Sequence, residues 1–310
     1  MLLRDNVYGT MQEDAIRRDF TINALYYNAI NGELTDYTTG LADLDQQIIK
    51  IIGEPSGRYQ EDPVRMLRAA RFAAKLDFTI EQRTAQPITE LATLLQAIPA
   101  ARLFEEVLKL FMSGYALKAY KQLRAYPLFE QLFPDTAEFL DQPIYNTIIE
   151  QGLVNTDKRI QAGKTVTPAF LFAVLLWPAV DRRQRQLSEN EGVPALAAMH
   201  QASHEVTLRQ QQSTAIPKRF SIPMREIWDM QLRFNNKRGK KAQNLLHNRR
   251  FRAAYDFLLL REQAGEQTGG LGQWWTEYQQ DPNNQIPDHH ANTTPEYPPR
   301  KRRPRKRPSS

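Results

Sequence analysis

The chain has 310 residues, with 41 Lys plus Arg against 35 Asp plus Glu for a net charge of +6, and no cysteine. That length can bury a sizeable core, most simply as two or more domains, and the missing cysteines exclude disulfides, thiolate zinc sites and cysteine nucleophiles. No apolar run approaches the roughly 20 residues that cross a bilayer, and the opening MLLRDNVYGT lacks the core of a secretory signal, so a cytoplasmic protein without a membrane partner is expected.

The first 55 residues mix turn signals with short extended runs: GELTDYTTG and QQIIKIIGEPSG read as strands bounded by Gly, Asp and Pro. Before them, residues 14–30 carry a helical pattern, with Asp14 near its start, Gly32 just past its end, and Ile16, Phe20, Ala24 and Tyr27 as the buried stripe. Inside it, RRDFTINAL sets Arg17, Arg18, Asp19 and Asn23 at the border of that apolar face, where polar groups must pair or meet a ligand. The residues alone allow a structural network in which Arg17 or Arg18 pairs with Asp19.

From EDPVRMLRAARF onward helix follows helix. Asp62 is placed to cap, Pro63 suits the first helical position, and Val64, Leu67, Ala70 and Ala74 form the buried stripe. Arg65, Arg68 and Phe72 share another stripe, so a carboxylate and a planar guanidinium stand one turn apart, an acceptor and a donor fork that could read a nucleobase edge. An ordinary Asp62–Arg65 ion pair is the plainer alternative.

Beyond it, PAARLFEEVLKLFMSG, YALKAYKQLRAY, PAFLFAVLLW, IPMREIWDMQLRF and FRAAYDFLLLREQ have apolar residues at three and four spacing, with Pro or Gly near their ends. Phe104, Leu108 and Phe111 read as core. The polar DRRQRQLSENEGVP suggests a boundary near 180, and order is expected to end near 282. His200 and His204 read as a solvated helix face and not as metal ligands, since no third ligand is evident; His289 and His290 fall in the polar end. Trp274 and Trp275 fit a docking helix better than a base-stacking platform. KRGKK supplies a phosphate patch of Lys237, Arg238, Lys240 and Lys241, with a solvated face as the alternative. Seven bases crowd residues 300–307, Arg300, Lys301, Arg302, Arg303, Arg305, Lys306 and Arg307; without them the remaining 34 face 35 acids, so the basicity belongs to a prolyl tail suited to an RNA-like polyanion.

At these residues the chain resembles the class II tRNA nucleotidyltransferases, and among them the bacterial poly(A) polymerases. RRDFTINAL matches that family's ribose-contacting motif, DYTTGLADL its following turn and EDPVRMLRAARF its base-reading motif; similarity runs on through ARLFEEVLKL, TPAFLFAVLLW, AIPKRF, KRGKKAQNLL and FRAAYDFLLLR. The resemblance implies a mainly α protein: a small α/β remnant of a nucleotidyltransferase head (1–55), a neck with base-reading and RNA-binding helices (56–125), a helical body (126–180), a helical RNA-binding region (181–282) and a disordered basic tail (283–310). It implies transfer of AMP from ATP to RNA 3' ends with Mg2+ or Mn2+. Asp19 would be the acid counted with the active site, Arg17, Arg18 and Asn23 would hold triphosphate or ribose, and Asp62 and Arg65, with Arg68 nearby, would read the base. RNA 3' ends and ATP are the implied partners, with RNA-decay machinery a further candidate.

Family members also carry a Gly-rich phosphate loop and an Asp-x-Asp metal pair ahead of this region, and neither occurs here. Asp43-Leu44-Asp45 has the spacing but sits in the turn motif without a glycine loop, so it reads as structural. No metal site is therefore expected within this sequence, and the polypeptide alone is expected not to polymerise. Two other functions stay in view: a CCA-adding enzyme of the same fold, and a non-catalytic RNA-binding fragment.

Overall fold

A computed structural model describes residues 9–281 and 284. Its order is α1 (Met11–Arg17), β1 (Leu25–Tyr27), β2 (Leu34–Asp36), α2 (Gly40–Asp45), β3 (Ile48–Ile49), α3 (Pro55–Glu61), α4 (Val64–Leu76), β4 (Thr79–Ile80) and α5 (Gln82–Leu91). Helices then continue as α6 (Ala100–Phe111), α7 (Ala116–Ala125), α8 (Phe129–Leu132), α9 (Pro134–Ala137), α10 (Pro143–Gln161) and α11 (Pro168–Glu189). The last are α12 (Ala195–Ser213), α13 (Lys218–Arg233), α14 (Gly239–Leu246), α15 (Phe251–Gln263) and α16 (Leu271–Gln280). The mainly α expectation holds. β1 and β2 form an antiparallel hairpin, Leu25 opposite Asp36, and β3 pairs in parallel with β4, Ile48 opposite Thr79. This parallel contact ties the first segment to the loop after α4, a pairing that no local pattern announces.

The helix expected over 14–30 is corrected. Helix α1 ends at Arg17, Arg18 is extended, and the chain runs on as a bridge at Phe20, a 3-10 turn over Thr21–Asn23 and then β1. The competing partner is the strand-like 48–52 segment: Phe20 bridges Ile51, Thr21 N donates to Lys50 O at 3.0 Å, and Ile52 N donates to Asp19 O at 2.9 Å. Phe20 and Ala24 are buried as expected, but Ile16 and Tyr27 are 53% and 70% exposed, so half of the predicted stripe faces outward.

The expected boundary near 180 falls inside α11, which runs unbroken through Pro178. A proline removes one backbone hydrogen bond from a helix, but Leu171 to Val180 are all buried here and the surrounding helices hold the segment helical through that defect. One continuous cluster of buried side chains reaches from Phe20 to Trp275, with Ala15, Ala24 and Ile52 forming a small second one. Close approach is built in at Gly152 on α10, where a Cβ would lie 2.6 Å from Val174 Cγ1 of α11. Trp228 Nε1 donates to Ala173 O and Trp275 Nε1 to Phe234 O, each at 3.0 Å, so these two of the three fully buried indoles have their polar edges satisfied. The expected end of order near 282 and, apart from residue 284, the tail at 283–310 lie outside the described residues.

Candidate functional site

The 17–23 turn and the α3–α4 junction meet side by side. Asp19 is the hub: its Oδ1 accepts from Phe20 N at 2.9 Å and Asn23 Nδ2 at 3.1 Å, and its Oδ2 accepts from Arg68 Nε at 2.5 Å and also from Arg68 Nη2. The partner of Asp19 is thus Arg68, from the other motif; Arg18 instead pairs with Asp14 at 2.9 Å, and Arg17 engages no acid in an ion pair among the described residues. Tyr26 donates to Asp14 Oδ2 at 2.6 Å, and this bond together with the Arg18 pair holds the Asp14 carboxyl below its ordinary value. The aromatic bodies seal the contact: Phe20 meets Phe72 of α4 edge to face at 5.7 Å, and Arg68 and Arg71 both lie over the Phe72 ring.

Asp62 sits at the hinge between α3 and α4. Its Oδ1 accepts from Val64 N at 3.3 Å, as a residue capping α4 should, and its Oδ2 takes Arg102 Nη2 of α6 at 2.8 Å. Arg65 does not pair with it. Arg65 Nη1 donates to Glu61 Oε2 at 2.6 Å and to Arg58 O at 2.8 Å, so the simple Asp62–Arg65 ion pair is absent and the two groups are held apart by separate partners. The Arg65 hydrogen bond holds Glu61 below its usual range.

Arg58 carries no motif signal in the sequence. Its Nη2 donates to the carbonyls of Arg17 at 3.0 Å and Arg18 at 2.6 Å, while Nη1 reaches Glu61 Oε2 at 2.7 Å. One planar fork therefore fastens the backbone of the first motif to the carboxylate that orients Arg65 in the second. No spacing rule singles out this arginine, because its acceptors are main-chain atoms 40 residues away.

The turn after β2 is brought in by a glycine. A Cβ on Gly40 would lie 2.4 Å from Thr21 O, so only glycine lets α2 start against the 21–23 turn. Asp36 organises that turn through bonds from Thr38 N at 2.9 Å and Leu41 N at 3.0 Å. Asp43 is buried and accepts from Thr39 Oγ1 at 2.6 Å.

Nucleotidyl transfer calls for a divalent ion, and the residues present do not fit one. Among the described residues no group of three or more His, Cys, Asp or Glu gathers to hold a metal, and the Asp19 carboxylate is already taken by Arg68 and Asn23.

The remaining sites scatter. His200 Nε2 lies 3.4 Å from Asp229 Oδ2 and is half exposed, and His204 is exposed. Lys237 Nζ stands over the Trp274 ring at 5.8 Å; Arg238, Lys240 and Lys241 are exposed around the start of α14. Trp275 is core and Trp274 stacks on Tyr278, as a docking helix requires. Residues 289, 290 and 300–307 lie outside the described residues.

Three family descriptions match in chain order: the Poly A polymerase head domain over residues 3–50, the probable RNA and SrmB-binding site of polymerase A over 77–140, and the polymerase A arginine-rich C-terminus over 191–308. The Poly(A) polymerase I of Salmonella typhi is 46% identical over 284 residues, covering 90% of this chain and 61% of that protein. The chain thus spans about three fifths of the length of the curated relatives of this kind that it matches. A CCA-adding enzyme of Streptococcus thermophilus is 41% identical over 131 residues, 42% of this chain and 32% of that enzyme. The Thermotoga maritima CCA-adding enzyme, solved in complex with tRNA, superposes with a TM-score of 0.58 at 19% identity over 86% of this chain and 60% of that one, a likeness of fold.

Proposed function

Because the chain belongs to the bacterial poly(A) polymerase family, we propose that it forms the nucleotide-selecting and RNA-holding part of a cytoplasmic polynucleotide adenylyltransferase, which adds AMP from ATP to mRNA 3' ends in RNA turnover. Asn23, Arg17 and Arg18 hold the ribose and triphosphate side of ATP, Asp19 positions Asn23 beside them, and Asp62 and Arg65 read the adenine edge. Mg2+ or Mn2+ would supply charge stabilisation to the transferred phosphoryl group in the whole enzyme. What these residues contribute themselves is orientation: donors fixed in advance cost no reorganisation when the nucleotide arrives.

The observation that carries the proposal is the doubly anchored Asp19–Arg68 contact, which brings two motifs 49 residues apart to one place. Arg65, oriented through Glu61 and the Arg58 carbonyl, and Asp62, capping α4, then lie on the same short stretch as Arg68. The sequence match to the Streptococcus thermophilus CCA-adding enzyme spans 42% of the chain, whereas the sequence match to a poly(A) polymerase spans 90% of it, which favours adenylate tailing.

The test is discrimination between nucleotides. Displacement of a fluorescent ATP analogue from the chain should be achieved by ATP at lower concentration than by CTP or GTP; equal displacement by all three would remove the base-reading assignment.

A further inference from the structure

We propose that the cleft between the end of α10, the start of α11 and α15 holds a segment of single-stranded RNA distant from the nucleotide site. The inference rests on the RNA-processing reading above and adds a strand-holding surface to it. The cleft has a volume of about 520 Å3. Its rim carries Lys158 and Arg159 from α10, Arg249 just before α15 and Arg252 on α15; the one carboxylate lining it is Asp256. The neighbouring Asp157 is turned elsewhere, accepting from Ala116 N at 2.6 Å and Leu117 N at 3.1 Å. Two other clefts differ in kind. One sets four arginines against four carboxylates and the other two against two, so neither presents net positive charge.

The cations are available at little cost. Lys158 is exposed and in no ion pair among the described residues, while Arg249 and Arg252 are 73% and 75% exposed and pair with Glu226 and Asp256 at the surface, where such pairs contribute little and phosphate can compete for them. Between the two basic rims the floor is apolar, with Phe170, Ala253 and Leu259 half-buried. A basic rim over an apolar floor suits a strand whose phosphates run along the edges while an unpaired base lies against the floor; a duplex keeps its bases stacked inside and cannot use such a floor. None of the cleft's cations falls in the matched RNA and SrmB-binding segment at 77–140, so this surface extends beyond it.

The test is fluorescence anisotropy of a labelled 15-nucleotide oligoadenylate with the full chain, followed as a function of salt. Lys158→Ala and Arg252→Ala should each weaken binding roughly three- to tenfold at low salt and lower the log–log salt slope by about 0.7 per cation removed. Phe170→Leu should weaken binding without changing the slope. Far-UV circular dichroism and ATP displacement should be unchanged in all three, so a failure of the nucleotide-selection reading would show in the ATP measurement and not here. Unchanged affinity and slope in both cation variants would overturn the proposal. Loss of binding to polyglutamate with oligoadenylate binding intact would also overturn it, by making the cleft a site for an acidic protein segment.

Discussion

Arg68 holds Asp19 through two nitrogens on one carboxylate oxygen, Nε at 2.5 Å, across 49 residues of chain. The Asp19 side chain is 10% exposed and that of Arg68 32%, so this pair is more shielded than an ordinary surface bridge. Arg68→Ala leaves a largely buried carboxylate with only Asn23 and one backbone amide, and should cost about 1–3 kcal/mol by urea denaturation. Asp19→Asn in the same background should recover part of that loss. Additive losses in the double variant would mean that the contact is not energetically coupled.

Arg58 acts through others. Replacing it with Lys keeps the charge but gives one point donor in place of a fork that reaches two carbonyls and Glu61 together. Arg58→Lys is expected to weaken ATP binding several-fold and to narrow the preference over CTP, because Arg65 loses the partner that orients its own partner. An unaltered ATP-to-CTP ratio would confine Arg58 to a structural role.

Gly40→Ala drives a methyl group into a backbone oxygen 2.4 Å away, and backbone cannot rotate clear as a side chain would. The expected destabilisation is about 1–3 kcal/mol, concentrated in the first 50 residues. Hydrogen exchange should show the 19–24 and 36–43 amides opening sooner while α11 to α15 remain protected; uniform protection throughout would contradict this.

Glu205 of α12 is held below the ordinary carboxylate value first by its hydrogen bond from Arg183 at 2.7 Å. A carboxyl whose folded value is depressed binds fewer protons folded than unfolded, so it stabilises the fold above its unfolded value, about 4.3, and that contribution is lost as pH falls through the lower, folded value. Glu205→Gln should therefore reduce the Tm at pH 7, and its gap from the parent should close as the solution is acidified below about pH 4. A gap constant with pH would show that the Arg183 pair contributes no proton-linked stability.

The fold was legible where one helix face decides it. The stripe Val64, Leu67, Ala70 and Ala74 is buried as read, as are Phe104 and Phe111. It was not legible where a distant strand outbids the local period: Phe20 satisfies a helical spacing, yet it bridges Ile51, and the backbone on either side of it bonds to Lys50 and Ile52. The polar DRRQRQLSENEGVP suggested a boundary near 180, yet its residues 181–189 continue α11 beyond the buried turns from Leu171 to Val180. At the site, the charged residues could be named from sequence but not their partners. Asp19 with Arg68, Asp62 with Arg102 and Arg58 with two carbonyls are all contacts across about 40 or more residues, invisible to any rule of three and four.

The most direct measurement of whether two charged motifs serve one nucleotide is calorimetric titration of ATP and of CTP into the parent chain, Asp19→Asn and Arg65→Ala. One site that prefers ATP is expected, with Asp19→Asn weakening both nucleotides by a similar factor and Arg65→Ala erasing the preference. Retention of the ATP preference in Arg65→Ala, or ATP affinity indifferent to Asp19→Asn, would contradict it.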